Sequence, residues 1–349
     1  MTARYVNTAS SPGGDGTTNA TAGDNRAYAS LNEAEAAMPA TLTDWWRIIC
    51  EGQAADTTAV TLAGTTTTAA NYIEVWTDPA QTYGRHDGKW NTGKYRLEVS
   101  NYGDTGLVTV NVPYVILDGL QIKSTFSTPG SGHAIKINHS SGGTPWVKVS
   151  NSILQGVVSG SFYNFGIEVR EGTAYIWNNI FYNWNSTYGF GMYVGTATDN
   201  AYFYNNTIVN CTYGIRQNVG VLTAVNNIVK GSGNTNAYVG TFTSSDYNST
   251  DGTDNTEGGA NSLQSQIFSF VNTGAGTEDF HLLLTDTGAL NHGIADPGSG
   301  LFSDDIDGQT RSGTWDIGAD EYVAAGGLIP YPFSRGARGG HLALSGGLQ

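Results

Sequence analysis

Short runs of alternating apolar and polar residues recur through the middle of the chain. Ile135 and Ile137 flank Lys136, Ile167 and Val169 flank Glu168, and Met192 and Val194 flank Tyr193. A period of two places apolar side chains inward and polar ones outward, as in a strand buried on one face. The runs are too short, and too rich in Gly, Asn and Thr, to be helices. A second series lies between them, an Asn or Asp two places before an aliphatic residue. It reads Asp118-Gly119-Leu120, Asn151-Ser152-Ile153, Asn178-Asn179-Ile180, Asn206-Thr207-Ile208 and Asn226-Asn227-Ile228. Two interleaved strand series with one drifting period predict a coil that carries several strands per turn. Asn at a corner suits left-handed backbone geometry, and stacked Asn side chains can hydrogen-bond along the coil axis. Each coil then adds one strand spacing, ~4.8 Å, to a solenoid whose core grows lengthwise.

The two ends read differently. Tyr5-Val6-Asn7 predicts an entry strand, and the stretch from Tyr28 to Met38 predicts a short helix capped by Ser30, with Glu33 three residues on. Such a helix would cover the apolar cross-section of the first coil. Arg47–Cys50 and Tyr72–Trp76 read as early strands, and Thr57 to Ala70 as a Thr/Ala-rich connection. These features divide the chain into an entry strand and cap helix over 1–46, coils over 47–250, C-terminal coils and a closing segment over 251–325, and a Gly-rich tail over 326–349. The tail has too little apolar surface for a core of its own, which predicts that another copy or an assembly partner holds it.

Composition narrows the function classes. Glycine accounts for 47 of 349 residues and charged residues for 13%, but 39 aromatic residues leave ample apolar surface, so the chain is expected to fold. A net charge of −14 argues against nucleic acid and against an anionic membrane. No apolar run is long enough to span a bilayer, and the first residues lack the apolar core of a signal peptide. Cys50 and Cys211 read as buried apolar side chains rather than as a disulfide or a metal pair. The histidines show no metal-ligand spacing.

Together these residues resemble right-handed parallel β-helix proteins of the pectate-lyase-like superfamily, of the phage virion type that includes tailspikes and capsid decorations. Tyr5-Val6-Asn7, the Gly-Gly-Asp-Gly loop at 13–16 and the helix start at Tyr28-Ala29-Ser30-Leu31 resemble the usual entry cap. Asp305-Ile306-Asp307-Gly308, Arg311 and Asp316-Ile317-Gly318-Ala319-Asp320-Glu321-Tyr322 resemble a closing segment of bacterial and phage β-helix proteins. In it Arg311 is expected to pair with Asp316 or Glu321, and Asp307 to support a turn. The resemblance implies an all-β, single-stranded right-handed parallel β-helix with an N-terminal cap helix and a C-terminal closing segment.

Fold alone does not select a function. On a solenoid, outward residues of successive coils align into columns. The strand series predicts one column of Lys136, Glu168, Tyr193 and Arg216, and a second of Asn138, Arg170, Gly195 and Asn218. A polysaccharide lyase would use Lys136, Arg170 or Arg216 as base and charge clamp. A hydrolase needs two carboxylates at a set separation, and no such pair stands out in the coils. Aromatics cluster between Trp146 and Tyr193, and Glu168, Tyr175, Trp177, Tyr193 and Arg216 are the candidate glycan contacts. No cofactor is called for; the nearest to one is calcium, with Asp304, Asp305 and Asp307 as candidate ligands. The reading that follows is a phage virion surface protein (spike, fibre or capsid decoration), homotrimeric, released by host lysis, held to other virion proteins through its tail, and contacting glycans without cleaving them. A polysaccharide depolymerase and a secreted, extracellular adhesin are the alternatives.

Overall fold

The computed structural model describes residues 1–324 apart from 101–103, 128–129, 140–144, 197–199, 234–235 and 254–258; the expected anchoring tail at 326–349 lies outside the described residues. Among the described residues the chain winds into a right-handed parallel β-helix with three long parallel sheets of nine, eight and seven strands. A full coil contributes one strand to each sheet. One such coil runs from Trp146–Ser150 in the nine-stranded sheet through Ile153–Val158 in the eight-stranded sheet to Tyr163–Glu171 in the seven-stranded sheet. The predicted connection over 57–70 itself contains a strand, Val60–Leu62, whose three residues are too few to show a period.

Inside, like residues stack coil on coil. Ile135, Ile167, Met192 and Ile215 stand in register, all fully buried in one core that runs from Val6 to Tyr238. The two cysteines are buried and free, and burial pushes the Cys211 thiol up to about 12. The helix forms at Leu31–Ala36, somewhat shorter than expected, and buries Leu31 and Ala34 on the first coil. Ser30 Oγ accepts the Glu33 N–H at 3.1 Å, and Glu33 Oε2 accepts the Ala29 N–H at 2.8 Å. The buried Asp56 carboxylate accepts the Leu31 N–H at 2.7 Å and the Tyr95 hydroxyl at 3.0 Å, which ties the cap to the coils.

The corner between the nine- and eight-stranded sheets is built from two adjacent columns. Gly119, Asn151, Asn178, Asn205 and Asn226 all have φ between 49° and 79°. The next residue in each coil, Ser152, Asn179, Asn206, Asn227 and Asn248 among them, turns inward and is buried. Each Asn Oδ1 of this inner ladder accepts the backbone N–H of the preceding coil, as from Asn179 to Asn206 at 3.1 Å and from Asn206 to Asn227 at 3.1 Å. Asn179, Asn206 and Asn227 Nδ2 also donate to the next Oδ1, at 3.0, 3.0 and 2.9 Å. The sequence series therefore mixes two columns. Asp118 lies one place before the left-handed column, and Asn206 belongs to the inner ladder rather than to the outer one.

The closing segment does not extend the coils. After Thr250 the chain turns back and lies along the side of the solenoid, over the outward-facing left-handed asparagines. Asn226 Nδ2 donates to the Ile294 carbonyl at 2.8 Å, Asn205 Nδ2 to the Asp316 carbonyl at 3.1 Å, and Asn178 Nδ2 to the Asp304 carbonyl at 2.8 Å. Arg311 is buried, donates to Glu321 Oε2 at 3.1 Å, and meets Asp316 only through its backbone carbonyl. Asp305, not Asp307, supports the turn: its Oδ1 accepts the Asp307 and Gln309 N–H groups at 3.0 and 2.7 Å. An antiparallel pair, Phe270–Asn272 with Asp279–Leu282, completes this layer.

Further down the same corner, His86 Nε2 donates to the Asn151 carbonyl at 2.9 Å, while its Nδ1 accepts the Gly88 N–H at 3.2 Å. This arrangement requires the neutral ring. Burial, with the nearby Arg85 charge, lowers its pKa to about 4. Below an unfolded value of 6.5 the unfolded chain takes up a proton that the folded chain refuses. Stability should therefore fall as pH drops from 6.5 to about 4, by roughly 1 kcal/mol per pH unit. Denaturant titrations across this range should show a shallower dependence for His86→Gln, and identical profiles would refute the assignment. Asn206→Ala removes the two Nδ2 hydrogens shared among three acceptors and strands the Asn179 N–H. It should cost about 3 kcal/mol or more by chemical denaturation.

Candidate functional site

The outer face of the seven-stranded sheet carries the densest set of candidate residues. The predicted column is present: Lys136, Glu168, Tyr193 and Arg216 stand in register on successive strands. Next to it runs a second outward column that simple alternation does not predict. His133, Phe165, Phe190 and Tyr213 are also in register, with ring centroids 4.8 to 5.0 Å apart and interplanar angles of 11° to 15°.

Phe165 and Ile167 have the same parity, yet only Ile167 belongs to the coil core. The cause is the glycine between them. A Cβ on Gly166 would lie 2.7 Å from Phe181 in the core; at Gly191 it would lie 2.6 Å from Ile208, and at Gly214 2.4 Å from Val229. Two consecutive positions, glycine and the aliphatic residue after it, thus face inward, and the alternation slips by one. Residues three apart then converge on the outside. Tyr193 sits 5.1 Å from Phe165 and 5.2 Å from Phe190, and the Arg216 guanidinium lies over Tyr213 at 5.0 Å and Phe190 at 5.6 Å.

The convergence also joins His133 to Glu168, with Nε2 and Oε2 2.8 Å apart. Burial raises the Glu168 pKa, but the His133 hydrogen bond and the charges of His133, Arg170 and Lys136 outweigh it and hold the carboxyl below its ordinary value. Glu168 is only 5% exposed and His133 only 1%. The pair therefore anchors the two columns to each other and leaves ligand contact to its neighbours. Lys136, Tyr193 and Arg216 are half-buried. Arg170 is exposed, but not in the expected column: a register shift pairs Asn138 with Glu171, and Arg170 falls in the irregularity. It still lies close enough to act electrostatically on Glu168 and Tyr193.

One further column completes the face. Tyr163 and Tyr188, 50% and 37% exposed, stack at 4.8 Å and 12°. Stacking covers their facing surfaces, so the ladder offers hydroxyl edges along its length and bare ring faces only at its ends. Ser131 precedes Tyr163 in register and is too small to cover that ring. The face can thus present an aromatic platform, phenol hydroxyls and three cations to one elongated ligand.

The remaining expected contacts lie elsewhere. Tyr175 stacks on Tyr202 at 4.7 Å on the nine-stranded sheet, half-buried. Trp177 points out of the coil as alternation requires, but the closing segment covers it. It stacks on Phe302 at 5.9 Å and packs with Tyr204 and Trp315, so it has no free face for a sugar. Nor are the calcium candidates drawn together. Both carboxylate oxygens of Asp305 take backbone N–H groups, Asp304 offers its carbonyl to Asn178 and Arg311, and Asp307 turns to His281. Sequence reasoning missed a second aromatic surface, in which Trp45 stacks on Tyr72 at 5.2 Å, Trp146 packs against Tyr72 and Tyr114, and Arg47 lies between Trp45 and Trp76. Its members are scattered over a hundred residues, and only the coil register gathers them.

Phe190 is buried within its column whereas Tyr188 is a surface ring. Phe190→Ala should cost about 3–5 kcal/mol in chemical denaturation, and Tyr188→Ala less than about 1 kcal/mol. Trp177→Ala should loosen the closing segment first, seen as faster limited proteolysis between residues 263 and 322 with the coils intact. Equal protection in the variant and wild type would show that Trp177 does not hold that layer.

Comparison with protein-family models finds none that matches the chain, and a search of curated proteins finds no similar sequence.

Proposed function

We propose that this protein is a surface structural β-helix, of the spike, fibre or capsid-decorating kind, that contacts cell-surface glycans through its seven-stranded face without cleaving them. The observation that carries this reading is the exposed Tyr163–Tyr188 stack framed by Lys136, Arg170, Tyr193 and Arg216. Sugars have apolar ring faces and hydroxyl rims, and an aromatic platform with hydroxyl and guanidinium donors complements both. The use made of Glu168 supports a face that does not hydrolyse glycans through that carboxylate. Glu168 is buried against His133, so neither partner reaches a glycosidic oxygen on the surface. The three cations stand as charge contacts around the platform. A virion setting, a trimer and attachment through the tail fit an elongated, rigid solenoid and complete the reading.

The full-length protein should retain at least one member of a panel of neutral and acidic bacterial polysaccharides and release neither reducing ends nor unsaturated uronates. Tyr163→Ala combined with Tyr188→Ala should weaken retention by roughly tenfold, as expected for loss of about 1.4 kcal/mol of stacking. Cleavage abolished by Arg216→Ala would replace this reading with the lyase. Retention unchanged by the tyrosine pair would remove the glycan site from this face.

A further inference from the structure

The seam between the closing segment and the coils contains a second cluster of chemistry, remote from the glycan face. In the strand Asp279–Leu282, Phe280 and Leu282 enter the apolar layer under the closing segment. Alternation turns Asp279 and His281 the other way, toward the loop that carries His86, Gly88 and Lys89. Asp279 Oδ1 hydrogen-bonds His281 Nδ1 and so directs Nε2 at Asp307, whose Oδ2 is 2.9 Å away. Asp320 approaches from the end of the closing segment. One donor atom each from His281, Asp307 and Asp320 lies within 4.8 Å of the other two. Bonds of about 2.0–2.2 Å set tetrahedral ligands about 3.5 Å apart around one ion, so the three side chains would close in by up to about 1 Å on binding.

We propose that His281, Asp307 and Asp320 bind a divalent first-row transition metal, Zn²⁺ in the first instance, and that the ion pins the closing segment to the coil body. Four features of the cluster support the site. Asp279 holds the His281 ring through the nitrogen that faces away from the ligand set, the usual role of a carboxylate behind a metal-bound imidazole. Asp320 is buried and spends Oδ2 on the Leu282 N–H at 2.7 Å; its other oxygen has no hydrogen-bond donor among the described residues. Gly88 packs directly on the ligands, where a side chain would displace them: a Cβ there would lie 2.3 Å from both Asp307 Oδ1 and His281 Nε2. Carboxylates outnumber cations, since Asp279, Asp305, Asp307 and Asp320 gather around His281 and Lys89, and Arg311 is committed to Glu321. One imidazole nitrogen with two carboxylate oxygens suits Zn²⁺ or Mn²⁺; Ca²⁺ prefers oxygen alone. Coordination uses the Nε2 lone pair, so any proton there leaves to solvent while Nδ1 keeps its hydrogen bond to Asp279.

The test is calorimetric titration of the chelator-treated full-length protein with ZnCl₂, and separately with MnCl₂ and CaCl₂. One equivalent of Zn²⁺ should bind with a dissociation constant in the micromolar range or tighter and raise the melting temperature. His281→Ala and Asp320→Asn should each weaken binding at least tenfold. Asp304→Asn, outside the ligand set, should leave it unchanged. Preference for Mn²⁺ with the same variant pattern keeps the site and changes the ion. No saturable binding to the folded wild type, or binding that survives His281→Ala, would overturn the proposal, as would Ca²⁺ binding to the exclusion of the other two. Should His281→Ala lose its far-UV circular dichroism, Co²⁺ added to the wild type decides: visible bands of a nitrogen–oxygen ligand set support the site, and their absence overturns it.

Discussion

The buried asparagine ladder at the corner of each coil is the constraint on which the rest of the structure depends. A chain that turns sharply inside a solenoid leaves backbone N–H and C=O groups without a strand partner, and no water reaches them. Asn179, Asn206, Asn227 and Asn248 meet that need from one position per coil, since each accepts a backbone N–H from the coil before and donates to carbonyls nearby. An amide side chain has both an acceptor and two donor hydrogens, and no other side chain of that length offers the same set. Once the ladder is in place, the strands on either side have no freedom to slip. The left-handed residue before it must then point its side chain outward.

That outward column decides where the C-terminal region goes. Asn178, Asn205 and Asn226 present amides along one flank, and the closing segment satisfies them with its own carbonyls. The same layer buries Trp177, encloses Arg311 and brings His281 against the loop at 86–91. The flank thus becomes an interior, and the seven-stranded sheet keeps the outer face with the aligned aromatic rings and cations. The two regions of interest, the outer face of the seven-stranded sheet and the cluster around His281, lie on different elements and do not depend on each other.

The outer face of the seven-stranded sheet owes its form to the small residues beneath it. At Gly166, Gly191 and Gly214 the backbone presses on the core, and any side chain there would collide with Phe181, Ile208 or Val229. The resulting slip in alternation turns Phe165 and Phe190 outward, against Tyr193 and Arg216, and lets His133 meet Glu168. From the sequence, Lys136, Glu168, Tyr193 and Arg216 could be aligned because their spacing follows the coil period. The aromatic column beside them could not, because its parity is that of buried residues.

Local chemistry was enough for the parallel coil, the cap helix and the asparagine corners. Strand alternation, an N-cap serine and left-handed asparagine are short-range properties, and each is repeated or standard enough to be read directly. Three features needed the folded chain: the one-residue offset between the two asparagine columns, the burial of Trp177 and the gathering of His281, Asp307 and Asp320. Each depends on contacts between residues far apart in sequence, whose partners are chosen by the exact length of intervening coils and by the return path of the closing segment. Periodicity records which side of a strand a residue faces. It carries no information about what a later part of the chain will lay over that side.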